Sequence, residues 1–195
     1  MIDTIVCYTA WGDGRENNRR KNREKEKEGL RKIGEAVRSI GGKYPYRCKS
    51  HSSGEAMVAM SLYPVGCDME EIPRGERAGR MLRGMSFFLE REEAERVMKS
   101  DRPEETATLA WTRKECIYKI HGSRRGSSGA DIVCEKFILR GDGEEFVSLY
   151  VRENMIMTCC RRPVGDILWI EVERNERNEG NNTGSRKRDE TLSGD

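Results

Sequence analysis

The sequence predicts an α+β fold, and three observations carry that prediction. Apolar runs of strand length recur at 1–9, 56–63, 65–72 and again in the last third of the chain. Two longer stretches, ending near Ile40 and Ile120, have the spacing or the start signals of helices. Two late strand-like runs, Ile132–Leu139 and Glu145–Val151, flank Gly141-Asp142-Gly143, which reads as the turn of an antiparallel hairpin.

Taken in order, Met1 to Thr9 is a first strand, closed by the turn signal Gly12-Asp13-Gly14. Arg15 to Lys27 is dense in Arg, Lys and Glu and grades into Leu30, Ile33, Ala36, Val37 and Ile40, an amphipathic helix that stops at Gly41-Gly42. The basic half reads either as a solvated helix face or as a phosphate-gripping segment. Gly42-Lys43-Tyr44-Pro45 and Ser50-His51-Ser52-Ser53-Gly54 are expected to be loops. Strands follow at Ala56–Tyr63 and Val65–Ile72, then a basic helical or irregular stretch from Arg74 to Gly84 and a helix over Glu90–Met98. Asp101-Arg102-Pro103-Glu104-Glu105 supplies the proline and the acids that suit the first turn of a helix running to Ile120. After a Ser/Gly/Arg loop, strands are expected at Ile132–Leu139, Glu145–Val151, Met155–Cys160 and Ile167–Val172. Arg174 to Asp195 has almost no apolar residue and reads as a disordered tail.

Composition narrows the function. Charged residues make up 36% and hydrophobic ones 35%, so the core is lean, and a net charge of +2 gives no global reason to expect nucleic-acid binding. No apolar run reaches the length of a membrane span and the N-terminus lacks a secretory leader, so the expectation is a cytoplasmic protein. Seven cysteines without a Cys-x-x-Cys pair, beside two histidines, read as buried free thiols rather than disulfides or a zinc site.

The chemistry concentrates on Trp111-Thr-Arg-Lys-Glu-Cys-Ile-Tyr-Lys119. Trp111, Glu115 and Lys119 recur every four residues and line one side of the helix, while Cys116, Ile117 and Ile120 fall on another. A Glu-to-Lys pair at i,i+4 is by itself ordinary surface charge, worth about 0.2–0.5 kcal/mol. Upstream, Asp68 and Glu70 stand two apart on a strand, and so on one face of it. Two such carboxylates require open water or a cation. With Glu115 they form the oxygen donor set that Mg²⁺ takes, and Lys119 could hold a phosphate that the metal also touches. The reaction class is displacement at a phosphate or pyrophosphate, with a carboxylate accepting the proton of the attacking hydroxyl.

These residues resemble the 4'-phosphopantetheinyl transferases. Val65-Gly-Cys-Asp-Met-Glu-Glu-Ile72 is similar to that family's Gly-x-Asp-x-Glu strand, and Trp111 to Lys119 to its Trp-Ser/Thr-x-Lys-Glu-x-x-x-Lys helix. Phe87-Phe88 to Glu92 looks like its Phe-Phe-x-x-x-Glu segment, and Ser50-His51-Ser52 like the Ser-His-Ser loop of the larger, surfactin-synthetase-activating type. The resemblance implies transfer of the 4'-phosphopantetheine arm of coenzyme A to a serine of an apo acyl or peptidyl carrier protein, releasing adenosine 3',5'-bisphosphate. By resemblance, Asp68, Glu70 and Glu115 bind Mg²⁺, Glu115 is also the base, and Lys119 holds a phosphate. Ser50, His51 and Lys43 contact coenzyme A phosphates, and Trp111 wedges the helix against the core. Arg15, Arg19, Arg20, Lys21 and Arg23 are a pool of further phosphate contacts.

The larger type is a pseudo-twofold pair of α/β lobes, which here implies a reduced N-terminal lobe at 1–64, a lobe carrying the metal residues at 65–173 and the tail at 174–195. A monomer follows, with the site between lobes. The shortened first lobe also raises an alternative, a degenerate homologue that binds coenzyme A or a carrier protein without chemistry.

Overall fold

The computed structural model describes residues 2–9, 19–122, 145–151, 154–161 and 166–172. The predicted turns at 12–14 and 141–143, the strand at 132–139, Arg15 and the tail lie outside them. The architecture is α+β with two sheets. In chain order the elements are β1 (Thr4–Tyr8), α1 (Arg19–Ile40), β2 (Tyr46–Ser52), β3 (Glu55–Ser61), β4 (Val65–Glu71), α2 (Glu76–Arg83), α3 (Arg91–Met98), α4 (Pro103–Gly122), β5 (Glu145–Val151), β6 (Met155–Arg161) and β7 (Ile167–Glu171).

The first sheet runs β2-β3-β1-β7 and the second β4-β6-β5. Every pair is antiparallel except β1 with β7, which run parallel with Val6 opposite Trp169. β1 is buried at all five positions, because it has a strand on each side and layers above and below. On one face of the first sheet α1 sets Ile33, Leu30 and Val37 on Ile5, Cys7, Ala56 and Met60. On the other face Val6, Tyr8, Met57 and Ala59 meet Cys67, Met69, Met157 and Cys159 of the second sheet. α4 presses Cys116 and Ile120 onto Cys160 and Phe146. Period-two alternation in β3 and β4 thus sends successive residues into different layers.

One expectation needs correction. Ser50, His51 and Ser52 are not loop residues. They close β2, in register with Met57, Ala56 and Glu55 of β3. Small polar residues imitate a loop in sequence, but strand pairing satisfies their backbone, and the turn contracts to Ser53-Gly54 with φ of 53° and 88°. The last strand pairs in the first sheet, where it covers the outer edge of β1 with Ile167 and Trp169 on one face and Ile170 on the other.

Six cysteines, Cys7, Cys48, Cys67, Cys116, Cys159 and Cys160, are free thiols, five of them buried. Cys134 lies outside the described residues. Among the described residues no helix is long and apolar enough to cross a membrane.

Two local features set the position of α4. Gly66 has no side chain because the Cys116 carbonyl oxygen lies 2.2 Å from where its Cβ would stand. Gly66 thus lets a helix backbone rest directly on a strand. Lys114, nearly buried, donates to both oxygens of Glu93 at 3.0 and 3.1 Å, tying α4 to the first turn of α3. Glu93 also closes a capping box with Glu90. Burial acts to raise the Glu93 carboxyl, but the Glu90 backbone N–H, Lys114 and Arg96 together hold it below its usual 4.5.

Gly66→Ala forces strand and helix apart and is expected to lower stability by about 2–3 kcal/mol, read by denaturant unfolding. Glu93→Gln leaves the Lys114 ammonium buried without its carboxylate and is expected to cost about 2–3 kcal/mol at neutral pH. A depressed carboxyl stabilises only where it is ionised. The gap between wild type and Glu93→Gln should therefore be full above the ordinary 4.5 and close as pH falls through the lower folded-state value, measured by melting across pH 3–7.

Candidate active site

The site assembles where the edge strand β2 of the first sheet meets the edge strand β4 of the second. β4 pairs with β6 on one side only. On the other, the Cys67 backbone N–H donates to Cys48 Sγ at 3.2 Å, so side chains of β2 take the place of a strand partner. Ser50 and Ser52, two apart on β2, face Asp68 and Glu70, two apart on β4. Ser50 Oγ donates to Asp68 Oδ1 at 2.8 Å and Ser52 Oγ to Glu70 Oε2 at 3.1 Å. The turn adds Ser53 Oγ to Glu71 Oε2 at 2.9 Å, an oxygen that Arg77 also reaches at 3.4 Å.

α4 brings the third carboxylate and the cation. Lys119 Nζ donates to Asp68 Oδ1 at 2.7 Å and to the Cys67 carbonyl at 3.0 Å, with Ser50 Oγ at 3.4 Å. Glu115 Oε2 is 4.0 Å from the same ammonium. Lys119 can reach Asp68 because Gly66 lets α4 lie close. Trp111, one turn before Glu115, packs edge-on against Phe88 at 5.1 Å and hydrogen-bonds Glu70. The expected wedge therefore also orients a carboxylate. Arg113, on what sequence suggests is the apolar side of this helix, stacks over the Phe146 ring at 5.6 Å.

Charge at the site is out of balance. Asp68 is 3% exposed, and burial raises its carboxyl even though Lys119 and Ser50 pull it down. Burial and the Asp68 charge push Glu70 to about 7, with Ser52 and Trp111 opposing and Glu115 adding to the rise. Glu115 is raised by burial and by Asp68, against Lys119. Burial opposes the Lys119 charge, but Asp68 more than compensates and holds that ammonium above its ordinary value. One ammonium thus serves Asp68 and Glu115, while the Asp68 charge raises both Glu70 and Glu115, and Asp68 Oδ2 is buried without a hydrogen-bond partner among the described residues. A buried carboxylate oxygen left over in a cluster of oxygen donors fits a hard divalent cation. Among the described residues no group of three or more His, Cys, Asp or Glu side chains is arranged to hold a metal ion, so Asp68, Glu70 and Glu115 would have to turn toward one, with waters and phosphate oxygens in its remaining positions. A cleft of about 340 Å³ opens beside Glu70, between Arg77, Arg80, Phe88 and Trp111. A larger groove of about 840 Å³ along α3, past Leu89 and Met98, is lined by none of the site residues.

Of the residues singled out by sequence, Asp68, Glu70, Glu115, Lys119 and Ser50 come together. His51 does not join them. It alternates with Ser50 along β2, lies over Ala56 rather than Met57, and meets Glu26 of α1, with Nδ1 3.1 Å from Oε2. Lys43 is on the exposed stretch before Tyr46, at the far end of β2 from Ser50. Arg20, Lys21 and Arg23 are exposed on α1, and Arg20 pairs with Glu24 at 3.2 Å. Sequence reasoning misses Ser52, whose i+2 spacing from Ser50 matches that of Glu70 from Asp68 and becomes visible once the segment is a strand.

A family model described as the 4'-phosphopantetheinyl transferase superfamily matches residues 64–160, about half the chain. No curated protein matches the chain. The matched segment contains β4 and α4, and with them Asp68, Glu70, Glu115 and Lys119. The activity this supports is phosphopantetheinyl transfer at the level of the superfamily, whose members draw the group from coenzyme A. The chain belongs to the 4'-phosphopantetheinyl transferase superfamily.

Proposed function

We propose that the protein transfers the 4'-phosphopantetheine group of coenzyme A to a serine of an apo acyl or peptidyl carrier protein, as a cytoplasmic monomer of the larger type. The observation that carries this reading is Asp68 Oδ2, buried without a hydrogen-bond partner among the described residues, near Glu70 and Glu115, with Lys119 on the other oxygen. Asp68, Glu70 and Glu115 would hold Mg²⁺, which neutralises charge on the pyrophosphate when bound. Every other role falls to the chain's own groups.

Lys119 is anchored by Asp68 Oδ1 and the Cys67 carbonyl, so its charge is fixed in place before a phosphate arrives. Ser50 shares that ammonium, at 3.4 Å, and holds Asp68 in its orientation. Glu115 lies nearer to solvent than Asp68, with its side chain about a quarter exposed. In this reading Glu115 would take the proton of the incoming serine hydroxyl, directly or through a water. Glu70 borders the cleft and is steered by Ser52 and Trp111. The serine oxygen would attack the phosphorus bearing the pantetheine arm. The new P–O bond replaces the pyrophosphate P–O bond, and adenosine 3',5'-bisphosphate leaves.

Incubation with Mg²⁺, coenzyme A and several apo carrier proteins is expected to add about 340 Da to at least one of them, the mass of the group transferred, read by intact-protein mass spectrometry. Coenzyme A binding without any addition would instead favour the degenerate, binding-only homologue. Glu115→Gln keeps the size of the side chain but removes its charge and basicity, and is expected to lower kcat by about 100-fold or more. Near-normal turnover would take Glu115 out of the base role.

A further inference from the structure

Of the six described cysteines five are buried, and Cys48 alone is half-buried. It lies on β2, an edge strand of the first sheet, and its sulfur is set against a second cysteine on the edge strand β4 of the other sheet. Cys48 Sγ accepts the Cys67 N–H at 3.2 Å, and its S–H is directed at the Cys67 carbonyl at 3.7 Å. The two thiols also hydrogen-bond each other. Strand pairing explains the contact: β4 has β6 on one side only, so the backbone of Cys67 opens toward β2, which offers it a sulfur in place of a strand. Other thiols lie close by but are closed to solvent. Cys159 stands opposite Cys67 in the register of β4 with β6, and Cys116 packs on Cys160, all four fully buried.

A small reagent arriving from solvent therefore meets Cys48 first, with Cys67 behind it as the resolving thiol. The Cys67 side chain draws the Cys48 thiol down to about 7 against the effect of burial, with the Cys67 N–H and the Lys119 ammonium assisting, which suits Cys48 to be the attacking sulfur. With hydrogen peroxide as oxidant no further reactant is needed. The Cys48 sulfur attacks one peroxide oxygen, the O–O bond breaks, and Cys48 becomes a sulfenic acid as hydroxide leaves. The Cys67 sulfur gives up its proton and attacks the Cys48 sulfur; the S–S bond forms, the S–O bond breaks and water leaves. The pair of thiols loses two electrons and two protons, and the peroxide is reduced to two waters.

Such a bond falls inside the framework of the site. Cys67 immediately precedes Asp68, and its carbonyl accepts Lys119 Nζ at 3.0 Å. Cys48 stands two residues before Ser50, which holds Asp68 at 2.8 Å. An S–S bond of about 2.05 Å is far shorter than the present contacts, so closing it takes the Cys48 sulfur off the Cys67 N–H and displaces the part of β4 that carries Asp68. We propose that Cys48 and Cys67 are a modification site: hydrogen peroxide joins them in a disulfide between the two sheets and a dithiol reductant reopens it, with turnover lost while the bond is closed. The loss of turnover rests on the transferase reading; the disulfide does not.

The full chain, fully reduced and then exposed to hydrogen peroxide, is to be alkylated with N-ethylmaleimide in denaturant and mapped without reduction by peptide mass spectrometry, beside Cys48→Ser and Cys67→Ser. Oxidised wild type is expected to lose about 2 Da, the two thiol hydrogens, to leave Cys48 and Cys67 unlabelled and to yield a peptide joining them. Cys48→Ser keeps an acceptor for the Cys67 N–H and should leave Cys67 free, while Cys67→Ser should stop at a sulfenic acid on Cys48 that dimedone traps. Full labelling of both cysteines after peroxide would overturn the proposal, as would a bond from Cys67 to Cys159 or from Cys48 to any cysteine but Cys67. Carrier modification by the wild type should fall on the order of tenfold on oxidation and return with dithiothreitol, and in Cys48→Ser the same treatment should change it little. Unchanged turnover in the mapped disulfide form would overturn the switch. If reduced wild type transfers nothing, the transferase reading falls and the peptide map still decides the disulfide. Should either variant fail to fold, the wild-type map alone decides it.

Discussion

The site depends on one ion pair, Lys119 with Asp68, at 2.7 Å. It joins α4 to β4 where β2 closes over the edge, and it ties together the three elements that supply Ser50, Asp68, Glu115 and Lys119. A buried pair of this kind costs desolvation on both sides and contributes little net stability. Its value is placement. Because Asp68 Oδ1 is held by the ammonium and by Ser50, the second oxygen is turned into a buried position with no hydrogen-bond partner among the described residues. A polar atom in that state strains the folded protein unless something arrives to satisfy it.

The surroundings are built to maintain this arrangement. Gly66 admits the Cys116 carbonyl against the strand, so the helix is close enough for a lysine to reach the next residue pair. Lys114 and Glu93 lock the other side of the same helix to α3. Thr112 bonds Thr158 at 2.8 Å, and Thr158 bonds Ser148 at 3.0 Å, so a buried hydroxyl chain runs from α4 across β6 to β5. The first sheet contributes through β2, whose Cys48, Ser50 and Ser52 stand in for a strand on the open edge of β4. Within the proposed chemistry this rigidity lets charge be set before substrate enters, which lowers reorganisation in the transition state.

Much of the site is legible in sequence, because its spacing follows from local geometry. Two carboxylates two apart on a strand share a face, and residues four apart on a helix share a side, so Asp68 with Glu70 and Glu115 with Lys119 are readable without a fold. Ser50 is readable only through the family resemblance, and Ser52 not even then, since a Ser-His-Ser-Ser-Gly run looks like a loop until β3 pairs with it. His51 shows the limit most clearly. Its neighbour in sequence is Ser50, but a strand sends neighbours to opposite faces, and the Glu26 partner lies 25 residues earlier on a helix that reads as solvated charge. The return of β7 to β1 is likewise a tertiary choice between sheet edges, which an isolated apolar run does not encode.

The central claim is that Asp68 keeps one oxygen for a divalent cation while Lys119 holds the other. Anomalous diffraction from crystals grown with Mn²⁺ and coenzyme A tests it directly. The account predicts a metal peak at Asp68 Oδ2, with Glu70 and Glu115 turned toward it and the Lys119–Asp68 Oδ1 pair intact. Bound coenzyme A with no metal at Asp68, or a metal held only by other residues, would contradict it.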